Sequence, residues 1–403
     1  MIVFRSLKQR SFLTLWLGQT LSRVGDFVYE IALAWWVLQK TGSAETMSLV
    51  LIFALTPSIL FALLGGVVID RFSRLKLMLA SDVLRGFVAL AVALLAWANI
   101  LEVWHVYLAS LLFGFLDAFF QPAYAALVPQ LVPEPDLTSA NALTSLSLNL
   151  GRVAGPSLGA LIFARLGPNW AFGINSVSFF FSSAFLVPLL FVAIPTPKRV
   201  EKTHFWQDLR AGLVAITSRR WLWITILVVA FTNITLTGPY SIAMPFLVSD
   251  FMKADVSTLG IIYAVFPLGY VIGSLWLGRY PKIRRRGLVS FLGIALAALM
   301  LALFGLHLPL WILLGAALIN GIALQADQLA WIGLLQEKIP NEELGRVFSF
   351  DSLGSFALLP VGLAVTGWAT QTFGPSSVFL IGGGLTALIA LLALLLPAIR
   401  QLD

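Results

Sequence analysis

The stretch "GGVVIDRFSRLKLM" (residues 65–78) joins two of the most apolar parts of the chain. The run before it, Met47 to Ile69, carries no charge. The run after it stays apolar to Ile100 apart from Asp82 and Arg85. Between them stand Asp70, Arg71, Arg74 and Lys76. Long apolar runs joined by a short charged turn read as two membrane-spanning helices and their loop. A helix needs about 20 apolar residues to cross the hydrocarbon core of a bilayer. Backbone polar groups there are satisfied only inside helices or closed barrels.

Of the 403 residues, 59% are hydrophobic and 11% are charged. A soluble domain carries about 25% charged residues, so this chain cannot coat a water-facing surface. Twelve apolar runs are long enough to span: 12–38, 47–69, 76–99, 103–127, 138–164, 170–193, 221–248, 257–280, 288–306, 309–333, 347–371 and 375–398. They are too long and too uniformly apolar for barrel strands, which are about 10 residues of alternating polarity. The first is no cleaved signal peptide, because it is long and holds Arg23, Asp26 and Glu30. Cysteine is absent, which excludes disulfides and thiolate chemistry. The expected class is an all-α integral membrane protein of twelve transmembrane helices, with the bilayer as its main partner.

Charge orients the chain. With the N-terminus in the cytoplasm, twenty of the 26 bases fall on inside segments, and only Lys40, Arg165 and Lys253 fall outside. That bias follows the positive-inside rule and places both termini and the 70–76 loop in the cytoplasm. The net charge of +7 thus reflects topology and implies no nucleic-acid partner. The longest inside segment divides the chain into 1–193, a linker at 194–220, and 221–403. Phe205, Leu209, Leu213 and Ile216 give the linker an amphipathic helical pattern.

The two halves repeat. At an offset of 207 residues, Pro133 falls on Pro340, Gly167-Pro168 on Gly374-Pro375, Gly114 on Gly321, and Gln121 on Gln328, without a gap. Parallel six-helix repeats are a transporter signature: two pseudo-symmetric six-helix bundles rock about a central site.

These residues resemble the major facilitator superfamily. Gly66, Asp70, Arg71 and Arg74 match its G-x-x-x-D-R-x-G-R-[RK] loop motif, with Ser73 at the second glycine, Leu75 at the next base, and Lys76 one place later. Gly151, Gly155, Pro156 and Gly159 match the G-x-x-x-G-P-x-x-G-G run of its exporters, with Ala160 at the last glycine. Segments 18–43, 119–143 and 205–213 are similar to its drug-efflux branch, which includes macrolide exporters. The resemblance implies the major facilitator fold and export of amphipathic small molecules, with a proton as coupling ion. A facilitative importer, or a lipid or siderophore exporter, is the alternative on the same fold. It implies no enzyme, cofactor or metal, and a monomer in the cell membrane. Gly155 to Gly159 also fits G-x-S-x-G. A hydrolase would need a strand-turn-helix elbow, and this stretch lies inside an apolar helix.

Charges inside spans are costly and mark candidate sites. In span 1, Gln19, Ser22, Arg23, Asp26 and Glu30 lie along one helical stripe, with Arg23 and Asp26 spaced to pair. Asp117, Gln121 and Tyr124 line span 4, Asn233 lies in span 7, and Asn320, Asp327, Gln328 and Trp331 line span 10. Spans 1, 4, 7 and 10 line the cavity in the superfamily. Asp26 is the expected proton-coupling carboxylate, assisted by Glu30 or Asp117. Many proton-coupled exporters carry an Arg in span 4, and this chain has none there. Asp82 and Arg85 read as a local pair. Arg152 could snorkel to headgroups or pair with a buried acid. Asp70 is expected to meet the start of span 11 as a cytoplasmic latch, with Asp351 as a gate contact; Leu277 replaces it in the second half.

Overall fold

In the computed structural model, residues 2–192, 213–280 and 283–402 are described. Each expected span is met by helix: α1 (Arg10–Thr41), α2 (Ala44–Arg71), α3 (Arg74–Trp97), α4 (Val103–Leu131), α5 (Leu137–Leu166), α6 (Pro168–Leu186), α7 (Arg220–Gly238), α8 (Val256–Leu277), α9 (Arg286–Ala302), α10 (Leu310–Lys338), α11 (Asn341–Phe356), α12 (Leu359–Phe373) and α13 (Pro375–Ala393). Eleven stretches of described helix are long and apolar enough to cross a membrane by composition alone. The remaining one is α1, whose 32 residues include Arg23, Asp26 and Glu30. Together they make the twelve-span chain.

Two helices depart from a plain span. Span 11 is split into α11 and α12, because Pro360 enters the first turn of α12 and cannot donate a hydrogen bond backwards. Span 7 continues beyond α7 through wider π-helical turns at Pro239–Ala243 and Leu247–Phe251. In the linker, residues 213–217 are helical. Phe205 and Leu209 of its amphipathic pattern lie outside the described residues.

The chain divides into two compact units. One is Met1–Lys198 with Asp255–Ala264, and the other is Arg199–Ala254 with Val265–Asp403. In the first, α1 packs on α5 and α6, α3 on α4 and α6, and α2 on α4. In the second, α7 packs on α12 and α13, and α9 on α10 and α13. The same pairings recur because the same residues recur. Gly114 and Gly321 stand 207 positions apart, and each admits a neighbouring backbone. A Cβ there would land on the Ala54 carbonyl or the Phe266 carbonyl.

Polar contacts repeat as well. Arg74 Nη1 donates to the Ala126 carbonyl at 2.9 Å, and Arg286 Nη1 donates to the Gly333 carbonyl at 2.9 Å. Residues 126 and 333 are equivalent. Arg5 pairs with Asp136 at 2.6 Å, without hydrogen-bond alignment, and Arg219 pairs with Glu343 at 2.8 Å. Residues 136 and 343 are also equivalent. In both halves a base preceding the first helix thus ties down the start of the fifth. In the first half, Ser6 adds a backbone bond to Ser139 Oγ at 3.0 Å.

The glycine run of α5 faces α1. A Cβ at Gly151 would sit 3.0 Å from the Phe27 ring; one at Gly155 would meet Phe27 Cβ, and one at Gly159 would meet Ile31 and the Val28 backbone. Small residues here permit the close helix approach that replaces hydrophobic driving force inside a membrane. They also fix the rotation of α1, and with it the polar stripe that α1 carries. Gly155→Leu is therefore expected to abolish the monodisperse, thermally cooperative protein in detergent. Gly315→Leu, where an added Cβ meets nothing within 4 Å, should leave both properties unchanged.

Candidate functional site

The polar residues of the first unit converge on α3. Asp82 is fully buried. Its Oδ2 accepts from Ser182 Oγ at 2.7 Å and Gln19 Nε2 at 3.1 Å, and its Oδ1 accepts from Arg85 Nη2 at 3.0 Å. Gln19 Nε2 also donates to Ser182 Oγ at 2.7 Å. One carboxylate therefore links α1, α3 and α6. Arg85 is 5% exposed and lies over the rings of Phe120 and Phe179, at 4.1 and 4.9 Å from their centroids. Its Nη1 is 3.7 Å from Asp117 Oδ1 on α4, which also accepts from Gln121 Nε2 at 3.0 Å.

The expected pair of Arg23 with Asp26 does not form. Arg23 instead turns to α4, where its guanidinium lies 5.1 Å from the centre of the Tyr124 ring. An aromatic face attracts a cation without demanding a fixed donor geometry, so Arg23 and Tyr124 act together across two helices. Asp26 is half-buried, and among the described residues it has no hydrogen-bond or ion-pair partner. Arg85, Asp117, Asp82 and Arg23 lie within electrostatic reach of it. Glu30 is exposed on α1, with Arg152 of α5 within electrostatic reach.

Of Gly66, Asp70 and Arg71, only the backbone of the last turns of α2 is described, so the Asp70 latch lies outside the described residues. Arg74 is engaged within its own unit by the Ala126 carbonyl, and Lys76 is exposed. Pro156 and the three glycines of α5 are buried, the glycines against α1.

In the second unit, Asp327 accepts a short hydrogen bond from Ser290, and Asp351 Oδ2 accepts from Trp331 Nε1 at 3.0 Å. Asp351 is thus held by α10 of its own unit. Trp331 meets Trp221 edge-on at 5.9 Å between ring centroids, beside a small pocket lined by Thr225, Arg286, Ser290, Phe291 and Leu334. Asn233 Nδ2 donates to the Ser355 carbonyl at 3.0 Å, and Asn320 Nδ2 to the Ala297 carbonyl at 2.7 Å. Each asparagine thereby ties its helix to a neighbouring one. The pair Trp331–Asp351 has a counterpart 207 residues earlier: Tyr124 OH lies 3.2 Å from Thr144 Oγ1. Among the described residues, no group of three or more His, Cys, Asp or Glu side chains could hold a metal ion.

Asp82 and Arg85 are the residues whose reach the sequence reading underestimated. Their one-turn spacing was visible. Their partners Gln19 and Ser182 come from helices 63 and 100 positions away.

The two aromatic clamps differ in what they leave behind when cut. Trp331→Phe strands a carboxylate and should destabilise the protein by about 1–3 kcal/mol. Tyr124→Phe strands only a hydroxyl and should cost about 0.5–1.5 kcal/mol. Thermal unfolding in detergent should rank Trp331→Phe below Tyr124→Phe, and the reverse order would refute the assignment.

Comparison with known proteins follows the same lines. Residues 2–308 match the family described as transmembrane secretion effector, and residues 226–401 match the Major Facilitator Superfamily. Macrolide efflux protein A of Streptococcus pyogenes is 26% identical over 97% of this chain and 97% of its own length. Enterobactin exporter EntS of Escherichia coli O1:K1 / APEC is 30% identical over 84% of this chain and 80% of its own. A bacterial homologue of the iron transporter ferroportin superposes with a TM-score of 0.73 at 17% identity, covering 95% of this chain and 98% of that one. A POT family transporter superposes with a TM-score of 0.75 at 13% identity, with 96% of each chain covered. The fold is theirs, and the chain is a multi-pass membrane transporter and not an enzyme: it belongs to the Major Facilitator Superfamily, within the transmembrane secretion effector family.

Proposed function

We propose that this protein exports amphipathic, positively charged small molecules across the cell membrane by alternating access, in exchange for protons. The observation that carries the reading is Asp26: a half-buried carboxylate in mid-span with no hydrogen-bond or ion-pair partner among the described residues, in a unit where Asp82 pairs with Arg85 at 3.0 Å and Asp117 lies 3.7 Å from the same guanidinium. Such a group is satisfied by a proton or by a cationic substrate, and alternation between the two is exchange. Moving one charge across the membrane is worth about 2.3 kcal/mol per 100 mV. The relatives are a macrolide efflux protein and an enterobactin exporter, and both names describe outward traffic of organic molecules.

The assigned roles follow. Asp26 takes the proton or the substrate cation, with Glu30 and Asp117 assisting. Arg23 and Tyr124 in the first half, and Asn233, Asp327 and Trp331 in the second, line the substrate path. The bodies that rock are residues 1–193 and 221–403, joined by 194–220, with both termini in the cytoplasm and the chain working as a monomer. Asp70, Arg71, Arg74, Lys76 and Asp351 serve the inner gate. A siderophore exporter is the second reading, favoured by the 30% identity to the enterobactin exporter. An acidic interior argues against it, because a catecholate siderophore is itself acidic.

Cells stripped of their own efflux pumps provide the test. Expression should raise tolerance to erythromycin. A protonophore, or Asp26→Asn, should remove the gain. Tolerance that survives the protonophore would exclude antiport. Restored secretion of enterobactin, with no change in erythromycin tolerance, would select the second reading.

A further inference from the structure

The middles of the spans in the first unit hold four carboxylates, Asp26, Glu30, Asp82 and Asp117, and three guanidinium groups, Arg23, Arg85 and Arg152. One acid is in excess. Asp82 is saturated by Arg85, Ser182 and Gln19. Arg85 does not spend its whole charge there. It turns a second nitrogen toward Asp117 at 3.7 Å, its Nε is buried without a partner, and its plane is held between Phe120 and Phe179. Asp117 is open to the surroundings, with its side chain 40% exposed. The contact is therefore loose on one side of the guanidinium and tight on the other.

We propose that Arg85 is a shared counter-ion: anchored on Asp82, it also covers Asp117, and so leaves the first unit with a single uncovered negative charge, centred on Asp26, as the quantity that couples proton to substrate. The inference rests on the proton-exchange reading and deepens it. Arg85 is a positioning residue, because it acts through Asp117 and Asp26 and is not itself the proton carrier. The charged groups within electrostatic reach of Asp26 are Arg23 on α1, Asp82 and Arg85 on α3, and Asp117 on α4; Glu30 on α1 and Arg152 on α5 lie within reach of each other. The neighbouring polar groups of α6, Ser182 and Asn175, are neutral.

Net charge, and not the identity of any one partner, then governs coupling. Asp117→Asn makes the set neutral, so nothing requires a proton. Arg85→Gln makes it doubly negative, so one proton no longer suffices. Combining the two restores a single excess charge. A buried pair with a merely structural role would give no such recovery, since the double variant loses more contacts than either single.

The experiment uses full-length protein in liposomes, with membrane potential clamped, an imposed pH difference, and radiolabelled erythromycin as the probe against protein-free liposomes. With one proton exchanged per substrate, one pH unit supports about a tenfold accumulation. Asp117→Asn and Arg85→Gln should each fall to the unenergised level, and Arg85→Gln/Asp117→Asn should recover at least about half of the wild-type accumulation. A folded double variant as inactive as the singles, or either single at the wild-type level, would overturn the proposal. If Arg85→Gln does not elute as a monodisperse species, Asp117→Asn decides alone, and a folded Asp117→Asn protein at the wild-type accumulation overturns the proposal. Wild-type protein that ignores the pH difference would instead overturn the antiport reading beneath it.

Discussion

A charge inside hydrocarbon must find its counter-charge among the helices of its own bundle, and this requirement shapes the first half of the molecule. A charged side chain at mid-bilayer costs about 2.5–3.5 kcal/mol even on insertion scales. Removing one partner of a buried pair costs about 3–5 kcal/mol, because the other is left uncovered. Asp82 therefore cannot be placed without Arg85, and Arg85 cannot be placed without room for a guanidinium between Phe120 and Phe179. The hydrogen bonds from Gln19 and Ser182 bring α1 and α6 to the same carboxylate. Polar chemistry supplies direction to helices whose apolar surfaces alone would slide past one another.

Steric fit supplies the rest. In lipid, apolar surface gains little by meeting other apolar surface, so packing depends on how closely backbones approach. The glycines of α5 let Phe27, Val28 and Ile31 of α1 sit against a nearly bare backbone. That contact fixes which way α1 faces. Arg23 then reaches Tyr124, and Asp26 lies one turn further along with no ion pair among the described residues. The position of Asp26 is thus a product of side chains that are themselves absent.

The spans were legible because lipid imposes a minimum length on any apolar helix, and the repeat was legible because Gly114, Pro133 and Gly167 keep one offset to their copies. The family followed from motifs of local spacing, such as Gly66 to Arg74 and Gly151 to Gly159. Less legible was anything decided between distant helices. Arg23 and Asp26 have the spacing of a pair, but a sequence cannot reveal that the Tyr124 ring competes for the guanidinium. The depth of the Asp82 network depends on Gln19 and Ser182; the polar stripe of span 1 shows Gln19, but nothing local ties either residue to Asp82 until the helices close. The break at Pro360 was hidden by a continuous apolar run, although proline alone could have signalled it.

The repeat of contacts bears on how the chain can vary in length. Asp136 and Thr144 are each tied to another helix, and so are their copies Glu343 and Asp351. One residue inserted between either pair of ties would swing the second about 100° around the helix axis, away from its aromatic partner. Substitutions can change a hydroxyl into a carboxylate at such a place, as Thr144 and Asp351 illustrate, while insertions and deletions cannot be absorbed. Descent from a duplicated ancestral segment would then leave chemistry free to drift and spacing frozen, which accounts for an alignment that runs gap-free from residues 114–168 to 321–375 where side-chain identity is sparse.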